Sequence, residues 1–188
     1  LTVVMGHRAQ SQDMLAAYSL MGNIDKLSTV ICFGLAASAA VMVGKEIGEG
    51  RDFGHVYDVA KTLLAVSVLV GLGVMALQLL LLPTFFRPVL FPLFQLSPGA
   101  ARISTDLAVV YAIALPTRAF DVTNVTGVLR AGGDARVAVL IDVLPLWLFT
   151  VPLMAVCALV LKAPVLWVCV CLQSETLCKF PLGILRFR

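Results

Sequence analysis

Residues 62–86 read TLLAVSVLVGLGVMALQLLLLPTFF, 25 consecutive positions without a charged side chain. At about 1.5 Å of rise per helical residue, such a run is longer than the roughly 30 Å hydrocarbon core of a bilayer requires. Lipid is the solvent in which this segment folds. The rest of the chain agrees, being 60% hydrophobic and only 13% charged with a mean hydropathy of +0.99, where soluble domains carry about 25% charge. A soluble chain of 188 residues buries one core and cannot hide this much apolar surface. The apolar runs lack the period-2 alternation of an outer-membrane barrel, so helices are the expected spanning element.

Working outward from 62–86, the hydropathy and the turn residues place five spans, at about 27–44, 62–86, 103–129, 137–161 and 164–183. Residues 1–12 read as the tail of a preceding helix and its loop, and 13–188 as one body. The chain opens on Leu1, and 1–5 resemble the end of an interrupted apolar helix, so a fragment of a longer protein is expected. Upstream of the first span, 13–25 is amphipathic, with Asp13 as a candidate N-cap. Gly34, Ala36, Ala37, Ser38, Ala39 and Ala40 would let another helix approach the first span closely, and Gly71 and Gly73 do the same for the second. Residues 45–61, rich in glycine and charge, read as a hydrophilic loop. The proline-broken stretch 85–96 is too short to cross and should lie along the interface or fold back.

Five spans joined by short loops alternate sides, so basic residues can be counted by side. Eight fall on the side of 45–61, 130–136 and the C-terminus, against Arg8, Lys26, Arg87, Arg102 and Lys162 on the other. The first group of loops is therefore expected in the cytoplasm, with the protein multi-pass in the plasma (cytoplasmic) membrane. The net charge of +3 comes from dispersed bases rather than a basic run, and nucleic acid is not an expected partner. The five cysteines lie in or beside apolar segments without CxxC or zinc spacing and read as reduced, buried small residues. His7 and His55 have no second ligand at metal spacing, so no metal site is expected, nor any other cofactor. No nucleophile elbow, P-loop, dinucleotide fingerprint or HExxH is present, and enzyme chemistry has no support.

Ionisable groups within hydrocarbon cost roughly 2.5–3.5 kcal/mol each on insertion scales and so face a protein interior or a wet cavity. The third span holds the most informative set. Arg118 and Asp121 are i,i+3 neighbours able to pair, and Thr117, Asp121 and Asn124 form a polar stripe on a helix loosened by Pro116. They read either as a cation or proton site on a transport pathway or as a structural ion pair. Asp142 lies near a span end and reads as snorkelled or loop-bonded; Asp106 and Glu175 read as interfacial.

Two stretches are more specific. Residues 36–51, ending Val43-Gly44-Lys45-Glu46-Ile47-Gly48-Glu49-Gly50-Arg51, resemble the small-residue helix and VGxxIGxGR exit of the MATE (multidrug and toxic compound extrusion) transporters. Gly127-Val128-Leu129-Arg130-Ala131-Gly132-Gly133-Asp134-Ala135-Arg136 is similar to that family's GxLRAGGD loop. Residues 175–188 resemble the family's last helix and its exit. The resemblance implies an all-α polytopic membrane protein, with five transmembrane helices and the tail of a sixth forming the C-terminal lobe of a twelve-helix, two-lobed transporter. It further implies antiport of drugs or other organic compounds, mostly cationic, against sodium ions or protons. Lipids and the N-terminal lobe of the same protein would be the partners. Asp121, with Thr117 and Asn124, would line the cavity; Arg118 would tune Asp121; Leu129, Arg130, Gly132, Gly133 and Asp134 would form the cytoplasmic turn. The alternatives are a lipid-linked oligosaccharide flippase of related fold, expected to carry more cavity arginines, and a non-transporting membrane scaffold.

Overall fold

A computed structural model describes residues 11–94, 96–133 and 135–156, together with 173, 176 and 179. The described residues are helical, with no strand among them. Four helices are long and apolar enough to cross a membrane: Ala16–Gly48, Phe53–Leu93, Pro98–Leu129 and Ala135–Leu153. Residues 1–10, the expected fifth span at 164–183 apart from Gln173, Thr176 and Lys179, Asp134, Glu175 and all the cysteines except Cys32 lie outside the described residues.

Helix α1 (Ser11–Gly48) runs unbroken through the expected boundary at Asp25 and Lys26, and Asp13 lies inside it rather than at its cap. The hydrophilic loop is correspondingly short. Gly50 takes a left-handed φ of +69°, which a side chain disfavours, and the carboxylate of Asp52 accepts from Gly54 N at 3.3 Å to start the next helix. Helix α2 (Phe53–Leu81) follows. The prolines beyond it do not turn the chain aside as expected. Leu82–Leu90 continues as a π-helix and passes into α3 (Phe91–Leu93). Pro83 and Pro88 stand five apart, one π-turn, and the wider turn accommodates rings that would collide with the carbonyl four residues back in an α-helix. Tertiary packing supplies the stabilisation, because Leu82, Phe86 and Phe91 are buried against Leu20, Met21, Leu107 and Tyr111.

Ser97 caps α4 (Pro98–Val122) by accepting from Ala100 N at 3.1 Å. Helix α4 continues as a π-helix, Thr123–Leu129, and after the glycine turn come α5 (Ala135–Pro145), a third π-helical segment (Leu146–Thr150) and α6 (Val151–Ala155). Two clusters fix the directions of the first three spans. One joins the start of α1, the end of the second span and the start of α4; the other joins Val43, Ala60, Leu64 and Val128 at the opposite ends. Thus α1 and α4 run parallel, with α2 antiparallel between their levels. Val125 and Leu129 pack with Ala138 and Ile141, so α5 returns against the end of α4.

The central α4 is approached at two points where backbones nearly touch. A Cβ at Gly127 would sit 2.9 Å from Ala36 O and 3.1 Å from Ala39 Cβ, and one at Gly71 would sit 2.8 Å from Pro116 Cα. Ala36 and Ala39 are the small residues that use this approach, whereas Gly34, Ala37 and Ser38 are exposed. Gly73 meets nothing within 4 Å, so only Gly71 of that expected pair is a close-contact point among the described residues. Without a hydrophobic drive between helices in lipid, such close packing and interhelical hydrogen bonds hold them together. Gln78 provides the second of these: its Nε2 donates to Ala108 O at 3.4 Å while its Oε1 accepts from Ser28 at 3.4 Å, tying α2 to α4 and α1.

Candidate functional site

Between α1, α4, α5 and the stripe Gln173, Thr176, Lys179 lies a cavity of about 800 Å³. The stripe residues recur every three positions, a spacing that keeps them on one helical face, and all three are buried. Phe33, Tyr18, Tyr111, Val30, Val122 and Val125 supply apolar wall. Charged groups supply the rest, at two levels.

At the first level Arg118 Nη1 donates to Asp25 Oδ1 at 2.8 Å and Oδ2 at 2.7 Å, and to Thr29 Oγ1 at 3.2 Å, while Nη2 donates to Gln173 Oε1 at 2.7 Å. The carboxylate that receives Arg118 therefore stands 93 positions away on α1, where the spacing alone suggested Asp121. Thr29 in turn donates to Asp25 O at 2.8 Å, which holds its hydroxyl beside the guanidinium. Both charged side chains are about four-fifths buried. A charge removed from water is tolerated only when paired and hydrogen-bonded, and this network meets that condition for Arg118. It also binds α1, α4 and the segment bearing Gln173 into one unit.

At the second level, about twelve residues or 18 Å further along the helix, Asp142 is shared. Its Oδ1 accepts from Lys179 at 3.1 Å, and its Oδ2 lies 3.7 Å from Arg130 Nη2. Asp142 is thus bonded to the turn through Arg130, and it also faces the cavity. The turn itself is closed by Gly132 N donating to Val128 O at 2.9 Å and Gly133 N to Arg130 O at 3.2 Å, with Gly133 at φ +87°. Leu129 is buried in the α4–α5 contact.

The sequence-derived stripe divides on this geometry. Asp121, 8% exposed, and Arg118 line the cavity, whereas Thr117 and Asn124 do not. Thr117 donates to Ala114 O at 2.9 Å, a bond within its own helix. Asn124 is fully enclosed, and neither atom of its amide has a hydrogen-bond partner among the described residues; the same holds for Thr123 Oγ1 beside it. Both begin the π-helical segment, a form often found at functional sites.

Sequence reasoning missed Asp25, Lys26, Thr29, Gln173, Thr176 and Lys179. A signal for the first existed. Asp25, Thr29, Cys32, Ala36, Ala39 and Val43 follow one another at steps of four and three, so Asp25 lies on the face that α1 buries and not at a helix boundary. No group of three metal-ligating side chains occurs among the described residues.

Membrane-crossing helices packed through small residues around a charged cavity define a polytopic helical membrane protein of transporter type. A family model described as MatE matches residues 1–156, and the chain belongs to the MATE transporter family. Comparison with curated proteins gives no match.

Proposed function

We propose that the chain is the C-terminal lobe of a secondary antiporter that exports organic compounds across the cytoplasmic membrane in exchange for sodium ions or protons. The observation that carries this reading is the cavity itself, where Asp25, Arg118, Asp121 and Asp142 stand at the wall of a space between spanning helices, the setting in which intramembrane charge serves transport. Asp121 is the coupling carboxylate in this reading, and Arg118, committed to Asp25, orients the wall. In this reading the loops within 45–61 and 130–136 are cytoplasmic, which the excess of basic residues on that side supports. The second lobe of the cavity comes from the N-terminal half of the same protein.

The test is dye efflux from vesicles containing the full-length protein, with and without an imposed sodium or proton gradient. Gradient-driven efflux is expected, and Asp121→Asn should reduce it by at least about tenfold, the usual scale for loss of one essential charged group. Efflux unchanged by that substitution removes Asp121 from the mechanism. Absence of any gradient-driven flux leaves the scaffold reading in its place. One observation favours the flippase alternative: Lys26, Arg130 and Lys179 join Arg118 at the wall, so the cavity is more basic than the spans alone suggested.

A further inference from the structure

A second groove lies where the end of the second span meets the start of α4, at the end of the bundle away from the glycine turn. It shares no lining residue with the central cavity. Its volume is about 760 Å³, within the roughly 300–1,000 Å³ of ordinary ligand sites. One wall comes from Arg87, Phe91 and Pro92, the other from Ala101, Arg102, Thr105 and Asp106, with Leu96 in the connection between them. Phe91 is buried in the core that also takes in Leu107 and Tyr111, so the two walls are held together beneath the groove. Thr105 is committed to its own helix, its hydroxyl donating to Ala101 O at 2.9 Å. Arg87, Arg102 and Asp106 are exposed, and none of these side chains has an ion pair or hydrogen bond among the described residues. Arg102 and Asp106 stand four apart on α4, the spacing of a helical ion pair but in the less favourable order, with the base ahead of the acid. Arg118, further along the same helix, is by contrast bonded to Asp25. Two guanidinium groups against one carboxylate leave this groove with a positive charge beside an apolar floor. Its depth is that of the lipid headgroups: Arg102 is the fifth residue of α4, and Arg87 stands six residues before the second span ends at Leu93. Long basic side chains near helix ends reach for that layer.

We infer that this groove holds an anionic phospholipid, its phosphodiester oxygens accepting from Arg87 and Arg102 and the upper part of an acyl chain lying on Phe91, Pro92 and Leu96. Guanidinium forks suit a phosphodiester geometrically as well as by charge, and its single negative charge neutralises the groove. A choline or ethanolamine headgroup brings a cation with the phosphate; Asp106 can receive that cation, but the positive charge of the groove is then left in place. A headgroup without an ammonium, such as phosphoglycerol, is therefore preferred. Asp106 also sets a limit on the other side, because a soluble dianion such as inorganic phosphate meets its like charge at the rim and gains nothing from the apolar floor. This site stands whether or not the central cavity transports.

The experiment titrates the full-length protein in detergent with dioctanoyl phosphatidylglycerol or dioctanoyl phosphatidylcholine and reads the bound lipid by native mass spectrometry. Phosphatidylglycerol is expected to bind the tighter of the two. Arg87→Gln and Arg102→Gln should each weaken its tightest binding about tenfold, the worth of a hydrogen bond to a charged group. Arg102→Lys, which keeps the charge but loses the fork, should weaken it less than Arg102→Gln. Lys61→Gln removes an exposed cation at the other end of α2 and should leave the affinity unchanged within about twofold. Both arginines are exposed, so their replacement carries little structural burden, and thermal unfolding of each variant checks that it folds. Inorganic phosphate in excess should leave the lipid bound. Equal affinity for the two lipids overturns the inference, and so does phosphatidylglycerol affinity unchanged within about twofold in both arginine-to-glutamine variants. A loss in Lys61→Gln equal to theirs would show that only net charge matters and refute the site. Displacement by inorganic phosphate would assign the two arginines to a soluble anion in place of a lipid.

Discussion

Two glycines two positions apart on α2 should respond to the same substitution with opposite sign. A Cβ added at Gly71 would lie 2.8 Å from Pro116 Cα, 2.9 Å from Ala119 Cβ and 3.2 Å from Leu115 O. Two of these atoms are backbone of α4, so no side-chain rotation can relieve the overlap and the helices must separate. At Gly73 the same Cβ meets nothing within 4 Å. Alanine is favoured over glycine in a helix interior by about 0.8–1 kcal/mol, a gain available at both positions. Gly73→Ala should therefore stabilise the protein by about 1 kcal/mol. Gly71→Ala forfeits that gain to an overpacking cost of about 1–3 kcal/mol and more where backbone meets backbone, for a net loss of roughly 1–2 kcal/mol. With about 2–4 °C per kcal/mol for a body of this size, the two variants should melt roughly 4–12 °C apart, Gly73→Ala above the parent and Gly71→Ala below it. Thermal unfolding of the full-length protein in detergent, followed by tryptophan fluorescence, reads both. A Gly71→Ala variant that melts with or above Gly73→Ala would refute the close approach of α2 to α4.

The ion pair and the glycine turn yield two further expectations. In a double-mutant cycle of Asp25→Asn and Arg118→Gln, each single change should cost about 2–3 kcal/mol by leaving a partner buried and unpaired, and the double should cost less than the sum by about 1–2 kcal/mol; additive unfolding energies would show that the two groups do not meet. Gly133→Ala, forced into φ +87°, should lose about 1 kcal/mol while Gly133→Asn loses only a fraction of that, because asparagine tolerates the left-handed region; equal melting of the two would place the turn in another conformation.

The parts of this fold that were legible in the sequence are those governed by long averages. A charge-free run of 25 residues determines its solvent whatever it touches, and the helical class follows from the need to satisfy every backbone group internally. What spacing could not convey is which helices meet. The prolines at 83, 88 and 92 are helix breakers by local rule, yet the helix persists to Leu93 because Leu82, Phe86 and Phe91 pack inward and a π-turn accommodates the rings. Arg118 was legible as an intramembrane charge needing a partner, but sequence proximity offers Asp121 while the parallel packing of α1 on α4 brings Asp25 to it from 93 positions away.

That same contact explains why α1 continues through the polar pair Asp25 and Lys26. Asp25 and Lys26 look like the polar edge of a span only if each must find water. Once Arg118 neutralises Asp25 from α4, the carboxylate belongs to the interior of the bundle, and α1 runs on without interruption from Ser11 to Gly48. A charged residue at an apparent span boundary is thus evidence of an edge only when no neighbouring helix carries the opposite charge at the same depth. Here the lone arginine of the third span was that opposite charge, and the stripe of Asp25, Thr29, Cys32, Ala36 and Ala39 had already marked the face of α1 on which it would be met.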